Sequence, residues 1–554
     1  MQTRITNFFA GLLIAAIIPL VHGCASCSSQ KKISEHLSSH LNSFKQGSAS
    51  VEGRPVYNPD LITKLYKRRG KLLSAKWDSG DKIVQMLTVI RNASKDGLNP
   101  DDYHLGDIEQ LIGKLVTSKK IEIKDTAGLD LLLTDSFLLL ASHMASGKTD
   151  PETIYPEWDI SRRNAVHIRE NFLDSAIKSN NIAGAIQNLV PKHPEYHNLR
   201  KALSEYQRFR ELGGWESCTP GLQKLQAGAR HPAVSLLRRR LSVTQGFIDY
   251  DPDDEFMFDE PLKEQVILFQ QQNNLKPDGV VDNATIEALN IPVNDRIETL
   301  EANLERWRWI NDDLGKRYIR VNIASFKLEV IENDMPVLQS RAVVGLPYRQ
   351  TPVFSSRMTY LVLNPDWMVP PSIMKKEIIP VMINDSSYLV KNDMKVVKYD
   401  GTEIAPSSII WRIVDTASFP YMIRQEPGPL NSLGRIAFMF PNKYFVYIHD
   451  TPAPYLFVRN ERAFSHGCIR IDKAVELARY LLKGNTTSDS IDIQKVIEEG
   501  KTQIIPLHSP IPVHILYMTA WADDKGTAYF TKDIYNRDRQ LINALKQTPP
   551  DPRK

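Results

Sequence analysis

Cys468 closes the run Phe464-Ser465-His466-Gly467-Cys468-Ile469-Arg470 and stands nineteen positions after His449, in Tyr447-Ile448-His449-Asp450-Thr451. A thiol is a weak nucleophile until it loses its proton, and a paired imidazole lowers the cost of that loss. A histidine within hydrogen-bond reach takes the thiol proton and can return it to a leaving amine. Gly467 lets the chain turn tightly, so that successive N–H groups can face one carbonyl oxygen, as acyl transfer requires. The second ring nitrogen of His449 needs a partner to fix the tautomer, and Asp450 is nearest, by side chain or by carbonyl. A lone cysteine is more often an inert buried group; the upstream histidine and the Ser-His-Gly entry favour a nucleophile here. His466 and Cys468 could begin a zinc site, but no second spaced pair of ligands accompanies them, so neither metal nor cofactor is expected.

These two segments need a scaffold that brings them together. Ile319, Val321 and Ile323 alternate with polar residues, Leu328 and Val330 continue the alternation, and Asn333-Asp334 marks a turn. Val337, Val343 and Val344, then Tyr360–Leu363 and Tyr444–Ile448, add further strands, which makes 317–510 a β-rich domain. A Met-, Pro- and Ser-rich stretch, 372–430, interrupts it and could cover a cleft. Trp367, just before that stretch, could wall the cleft. Residues 511–554 hold one more strand around Val513–Tyr517 and a charged end, of which the last residues should be disordered.

Upstream the period is helical. Ile83, Met86, Leu87 and Ile90, and later Leu129, Leu133, Phe137 and Leu140, mark a helical scaffold over 55–231 with no chemistry of its own. Residues 232–292 form a compact three-helix unit, with Leu236, Leu237 and Leu241 on the first helix and Leu262, Val266 and Phe269 on the second. A linker helix, 293–316, leads into the β-rich domain.

At 554 residues the chain is too long for one core and should hold three or four domains. A net charge of +4, with no Lys/Arg run dominating any region, excludes a nucleic-acid binder. Residues 1–27 read as an export signal: Arg4, then an apolar run from Phe8 to Val21. Cys24, after Gly23, resembles a bacterial lipidation site, with Cys27 a second candidate; an uncleaved signal anchor is the other way to a membrane tether. No later apolar run reads as long enough to cross a bilayer. Residues 28–54 are Ser-, Lys- and Gln-rich and read as a flexible linker. The other cysteines, Cys218 and Cys468, could pair arithmetically, but the setting of Cys468 favours a free thiol.

The stretch HDTPAPYLFVRNERAFSHGCIR resembles the L,D-transpeptidase (YkuD-type) signature: a His, a spacer, Ser/Thr-His-Gly-Cys, and an Arg or Asn shortly after. The wider order of parts is similar to the large, YcbB-type enzymes of Gram-negative bacteria, and PLKEQVILFQQQNNLKPDGVVDNATIEALN resembles a peptidoglycan-binding module, with Asp282 where such modules usually carry Gly. The resemblance implies a multidomain α+β protein: helical scaffold, three-helix peptidoglycan-binding module, and β-rich catalytic domain with a capping insertion. It implies Cys468 as nucleophile, His449 as base, and Gly467 and Cys468 N–H groups for the oxyanion. Tyr447, Arg470, His466, Asp450, Trp367 and Ser465 make up the expected substrate-contacting set, Arg470 holding either the loop or a substrate carboxylate. The expected partners are peptidoglycan stem peptides, as tetrapeptide donor and diamino-acid acceptor, with glycan strands at 232–292, in the periplasm. The expected outcome is a 3→3 cross-link with release of D-Ala, and inactivation by carbapenems. The alternatives are an L,D-carboxypeptidase, exchange of the terminal D-amino acid, or a non-catalytic wall-binding protein.

Overall fold

The computed structural model describes residues 27–68, 73, 76–118, 122–161, 163, 171–218, 224–251, 254–416, 418–484 and 491–549. Cys24 and the rest of the signal reading, 1–26, lie outside the described residues.

The strands of the C-terminal half close on themselves. Arg317–Asn322 pairs antiparallel with Lys327–Glu332, which pairs with Met335–Gly345, and that strand runs antiparallel to Ile469–Ile471. Ile469–Ile471 lies parallel to Ile448–His449, which pairs with Ile436–Met439, and this strand pairs in turn with Val353–Leu363. The cycle is completed by Gln503–Leu516, antiparallel to Val353–Leu363 and parallel to Arg317–Asn322. The eight strands thus form a closed, barrel-like sheet without a free edge in the cycle. Its alternation is the one visible in the sequence: Ile319, Val321, Leu328 and Val330 are buried. Asn333 and Asp334 take φ of 47° and 65°, the two positive values that a tight two-residue hairpin turn demands.

The strand Gln503–Leu516 crosses the boundary drawn at 510, and further elements follow it; the last residues, 550–554, lie outside the described residues. Ala520–Ala522 and Ala528–Phe530 form a hairpin, Asp538–Lys546 is a helix, and Leu516, Tyr517, Phe530, Tyr535 and Leu541 are all buried. The flexible-linker reading of 28–54 also fails. Cys27–Lys45 is a helix whose Ile33, Leu37, Leu41 and Phe44 recur at helical spacing and enter the main core. The polar composition of this segment belongs to its solvent face.

The scaffold centres on the helix Ile123–Ser146, apolar on almost all sides. It is long and apolar enough to cross a membrane by length and composition, unlike the sequence reading, but it is buried within the scaffold core. Its polar groups are internally paired: Asp135 accepts the Tyr57 and Asn58 N–H groups at 2.8 Å each, and Asp130 accepts those of Lys76 and Trp77.

The helix Val293–Trp309 does more than link. Arg308 pairs with Glu305 at 2.7 Å and donates to the Asp96 carbonyl at 2.6 Å in the scaffold. Arg306 pairs with Asp538 of the last helix at 2.7 Å. Both arginines are buried, so each needs its partner, and the helix pins scaffold, barrel and C-terminus to one another.

The three-helix unit, Ala233–Gln245, Glu260–Gln272 and Asn283–Leu289, keeps a hydrophobic core of its own, which includes Cys218. Asp282 suits its place: its carboxylate caps the third helix by accepting from Thr285 N–H at 2.9 Å. The insertion likewise has a separate core, built from Val369, Met374, Ile378, Ile379, Met382, Leu389, Trp411 and Ile423 among others. Its four-stranded sheet comprises Glu403–Ile404, Met394–Val397, Met422–Gln425 and Trp367–Met368. It therefore begins at the strand that carries Trp367, a few residues earlier than 372. Asn431 and Asn364 hold its neck, Asn431 donating to the Pro365 and Glu426 carbonyls at 3.0 Å each and Asn364 to the Val496 carbonyl at 2.7 Å.

Candidate active site

Two short parallel strands set the chemistry out on one face. Ile448 pairs with Ile469 and His449 with Arg470, and Ile469 N–H donates to the Tyr447 carbonyl at 3.0 Å. Successive side chains alternate between faces, so Tyr447 and His449 point the same way as Cys468 and Arg470 beside them. Gly434 makes the approach of the His449 strand possible: a Cβ there would sit 2.5 Å from Asp450 Oδ2, and its φ is +65°.

His449 is 3% exposed. Its Nδ1 lies 2.6 Å from the Asp450 carbonyl, an acceptor only, so Nδ1 carries the proton and donates. Of the two ways Asp450 could orient the ring, the main-chain carbonyl is the one used; the Asp450 carboxylate accepts from Arg435 N–H at 2.8 Å instead. Burial, and then the charge of Arg470, hold the imidazole down to about 3. The ring is therefore neutral at neutral pH, with Nε2 as its basic nitrogen.

Cys468 is half-buried and unbridged, and burial pushes its thiol above the ordinary range, partly offset by Tyr447 and Arg470. Its Sγ lies 3.8 Å from the Phe445 carbonyl. Among the described residues no hydrogen bond joins it to His449, which departs from the expected direct pair. Tyr447 touches both: its hydroxyl contacts the thiol, and its ring tilts against the imidazole with centroids 5.7 Å apart. The indole of Trp367, reaching over from the insertion, lies beside the same hydroxyl.

The motif loop is strapped by a serine. Ser465 Oγ, 1% exposed, donates to the Cys468 carbonyl at 2.5 Å and accepts from Gly467 N–H at 3.1 Å. That corrects two expectations at once. The Gly467 N–H is already engaged and is not a free oxyanion donor, and Ser465 holds the loop rather than facing substrate. The Cys468 N–H makes no hydrogen bond among the described residues and remains available. Gly467 serves by conformation, with φ at +114°.

A further support has no signature in the motif. Thr351, fully buried, donates from Oγ1 to the Gly467 carbonyl at 2.9 Å and accepts Gly345 N–H at 2.9 Å. Tyr535, near the C-terminus, donates to the Gly345 carbonyl at 2.6 Å and accepts Thr351 N–H at 3.1 Å. The loop 346–350 is thereby pressed against the motif, and Leu346 N–H donates to the Ser465 carbonyl at 2.9 Å.

Arg470 shares the face with His449 and Cys468, yet it makes no ion pair or hydrogen bond among the described residues, and its Nε is buried without a partner. Such a guanidinium is poised for an anion. His466 is engaged by the insertion: its Nε2 donates to Glu377 Oε1 at 2.6 Å. Among the described residues no three His, Cys, Asp or Glu side chains converge as a metal-binding group.

Comparison with known proteins divides the chain in the same places. Residues 60–203 match the family described as "Scaffold domain", 230–289 the one described as "Putative peptidoglycan binding domain", and 316–497 the one described as "L,D-transpeptidase catalytic domain". A Haemophilus influenzae protein named "Putative L,D-transpeptidase" is 35% identical over 244 residues, 44% of this chain. The match spans 49% of that relative, about half its length. A solved L,D-transpeptidase fragment (residues 123–326) from Xylanimonas cellulosilytica aligns over 54% of this chain and 100% of its own, at 14% identity and a TM-score of 0.17, too slight a likeness to argue from. The chain thus carries, in this order, a stretch similar to a scaffold domain, one similar to a peptidoglycan-binding domain and one similar to an L,D-transpeptidase catalytic domain.

Proposed function

We propose that the chain is a cysteine L,D-transpeptidase that joins peptidoglycan stem peptides through a thioester on Cys468. The observation that carries this reading is the shared face of Cys468, Tyr447, His449 and Arg470 on two paired strands, within a catalytic domain of that family.

The donor is a tetrapeptide stem. Its approach draws Sγ from the Phe445 carbonyl toward Nε2 of His449, which takes the thiol proton. The imidazole is neutral and so can accept a proton, but burial weakens it as a base and raises the thiol, so the transfer requires the bound donor to stabilise the thiolate–imidazolium pair as it forms. The thiolate attacks the carbonyl between the third residue and the terminal D-Ala. The Cys468 N–H and the Tyr447 hydroxyl steady the developing oxyanion. The amide bond breaks, His449 returns the proton to the departing amine, and D-Ala leaves. The side-chain amine of a second stem's diamino acid then attacks the thioester, loses its proton to His449 and expels the thiolate. One amide is broken and one formed, giving a 3→3 link. Arg470, without a carboxylate of its own, fits a carboxylate of the stem. Trp367 and the insertion cover the reacting groups and favour amine over water.

The working place that suits this substrate is the periplasm. The apolar N-terminal segment supports export, with a lipid at Cys24 or an uncleaved signal as the tether. The module at 230–289 would hold glycan strands near the site.

Tetrapeptide muropeptides incubated with the protein and with Cys468→Ala test the reading. Cross-linked dimers and free D-Ala are expected from the first alone. Tripeptide monomers without dimers would make it an L,D-carboxypeptidase. No change in either case, with no carbapenem mass adduct on Cys468 of the folded protein, would leave a wall-binding protein.

A further inference from the structure

Arg349 lies in the loop 346–350 that leans on the catalytic motif, and it was not among the residues singled out by motif. Its Nη1 donates to Glu377 Oε1 at 2.6 Å, the same oxygen that accepts His466 Nε2 at 2.6 Å. Two donors, from two loops of the catalytic domain, therefore converge on one carboxylate oxygen that comes from the insertion. His466 is two residues from Cys468. Glu377 reaches this spot from a π-helical turn, Met374–Ile378, set between the helical segments Pro371–Ile373 and Ile379–Asn384. Pro380 has no N–H to give the Lys376 carbonyl, which favours the wider turn there.

We infer that Arg349 and His466 form a carboxylate-binding subsite beside Cys468, for which Glu377 of the insertion and a carboxylate of the bound peptide compete. The donor inventory supports this. Glu377 engages a single nitrogen of Arg349, and the other N–H donors of that guanidinium make no hydrogen bond among the described residues. A free carboxylate could use two of them side by side. Arg470 adds a second uncommitted guanidinium, close enough for its charge to act on His466. Arg349 and Arg470 against Glu377 leave a local surplus of one positive charge even with His466 neutral. The bridge is also exchangeable. The side chains of Arg349, His466 and Glu377 are 26%, 31% and 43% exposed, and ion pairs that wet are weakly held. The insertion has its own core, so displacing Glu377 need not disturb the barrel.

The natural ligand of this subsite rests on the proposed peptide substrate; its existence does not. Glutarate and its uncharged diamide, glutaramide, probe it directly, by slowing the alkylation of Cys468 with iodoacetamide at fixed ionic strength. In Glu377→Gln, glutarate should protect the thiol at least fivefold better than in the wild type, and glutaramide should not. Adding Arg349→Gln, or in a second variant His466→Gln, should abolish that gain while the thiol still reacts without glutarate. Equal protection by both compounds, or glutarate protection that ignores Glu377 and Arg349, overturns the subsite. A tetrapeptide stem and its C-terminal amide, used as donors, then address the substrate. Glu377→Gln should lower KM for the free acid at least threefold and leave the amide unmoved. If glutarate behaves as stated but neither peptide reacts in any protein, the substrate reading fails and the subsite stands.

Discussion

Replacing Thr351 by valine keeps the side chain's shape and removes its hydroxyl. The hydroxyl is fully buried and serves two backbone groups, Gly345 N–H and the Gly467 carbonyl, at 2.9 Å each. In the variant both lose their partner with no water to replace it. A buried polar group left unmade costs about 1–3 kcal/mol, so the pair costs roughly 2–6 kcal/mol. The methyl that takes the hydroxyl's place returns less than about 1 kcal/mol. Thr351→Val should therefore lose about 1–5 kcal/mol in urea unfolding followed by tryptophan fluorescence. Because Gly467 precedes the nucleophile, the native alkylation rate of Cys468 should also change, by threefold or more. Thr351→Ser, which keeps the hydroxyl, should recover most of both. A Thr351→Val protein within about 0.5 kcal/mol of wild type, with an unchanged alkylation rate, would refute the claim that this hydroxyl holds the motif loop.

Gly467→Ala forces a side chain into φ of +114° and should cost about 1–3 kcal/mol, read by the same unfolding curves, with the proposed cross-linking lost before the fold is. His449 is held down to about 3, below the value near 6.5 of an unfolded chain, so below pH ~6.5 the unfolded state takes up a proton that the native state refuses. Its presence should cost stability progressively as pH falls from about 6.5 toward 3. The difference in unfolding free energy between wild type and His449→Gln should shift in favour of the variant over that range, and a pH-independent difference would count against a buried neutral imidazole. Leu37→Ala, at a fully buried position of the helix Cys27–Lys45, should destabilise by about 2–5 kcal/mol, which a flexible linker could not do.

What could be read in the chain and what could not divides by the range of the signal. Cys468, Gly467 and His449 announce themselves because a candidate nucleophile, a turn and a candidate base sit within one short stretch. The strand period of Ile319, Val321, Leu328 and Val330 is equally local. Thr351, Tyr535, Arg349 and Glu377 carry no such mark, because each acts across 28 to 190 residues of chain, through contacts that only the closed barrel creates. The helix Cys27–Lys45 was hidden by composition: its serines and lysines outnumber the four apolar residues that decide its fate. The role first given to Gly467 N–H went astray for a chemical reason. A hydroxyl two residues away competes for it, and motif spacing does not register which way a serine turns.

The order in which the barrel closes bears on when this protein can act. Arg317–Asn322 must wait for Val513–Leu516, nearly two hundred residues later, before its second neighbour exists, and Tyr535 arrives later still. A chain made N-terminus first thus presents Cys468, Ser465 and Thr351 before Tyr535, the last of the loop's supports, has been synthesised. Loss of the last twenty residues alone would remove Tyr535, and with it the hydrogen bonds to Gly345 and Thr351 that back the motif loop, without touching the motif.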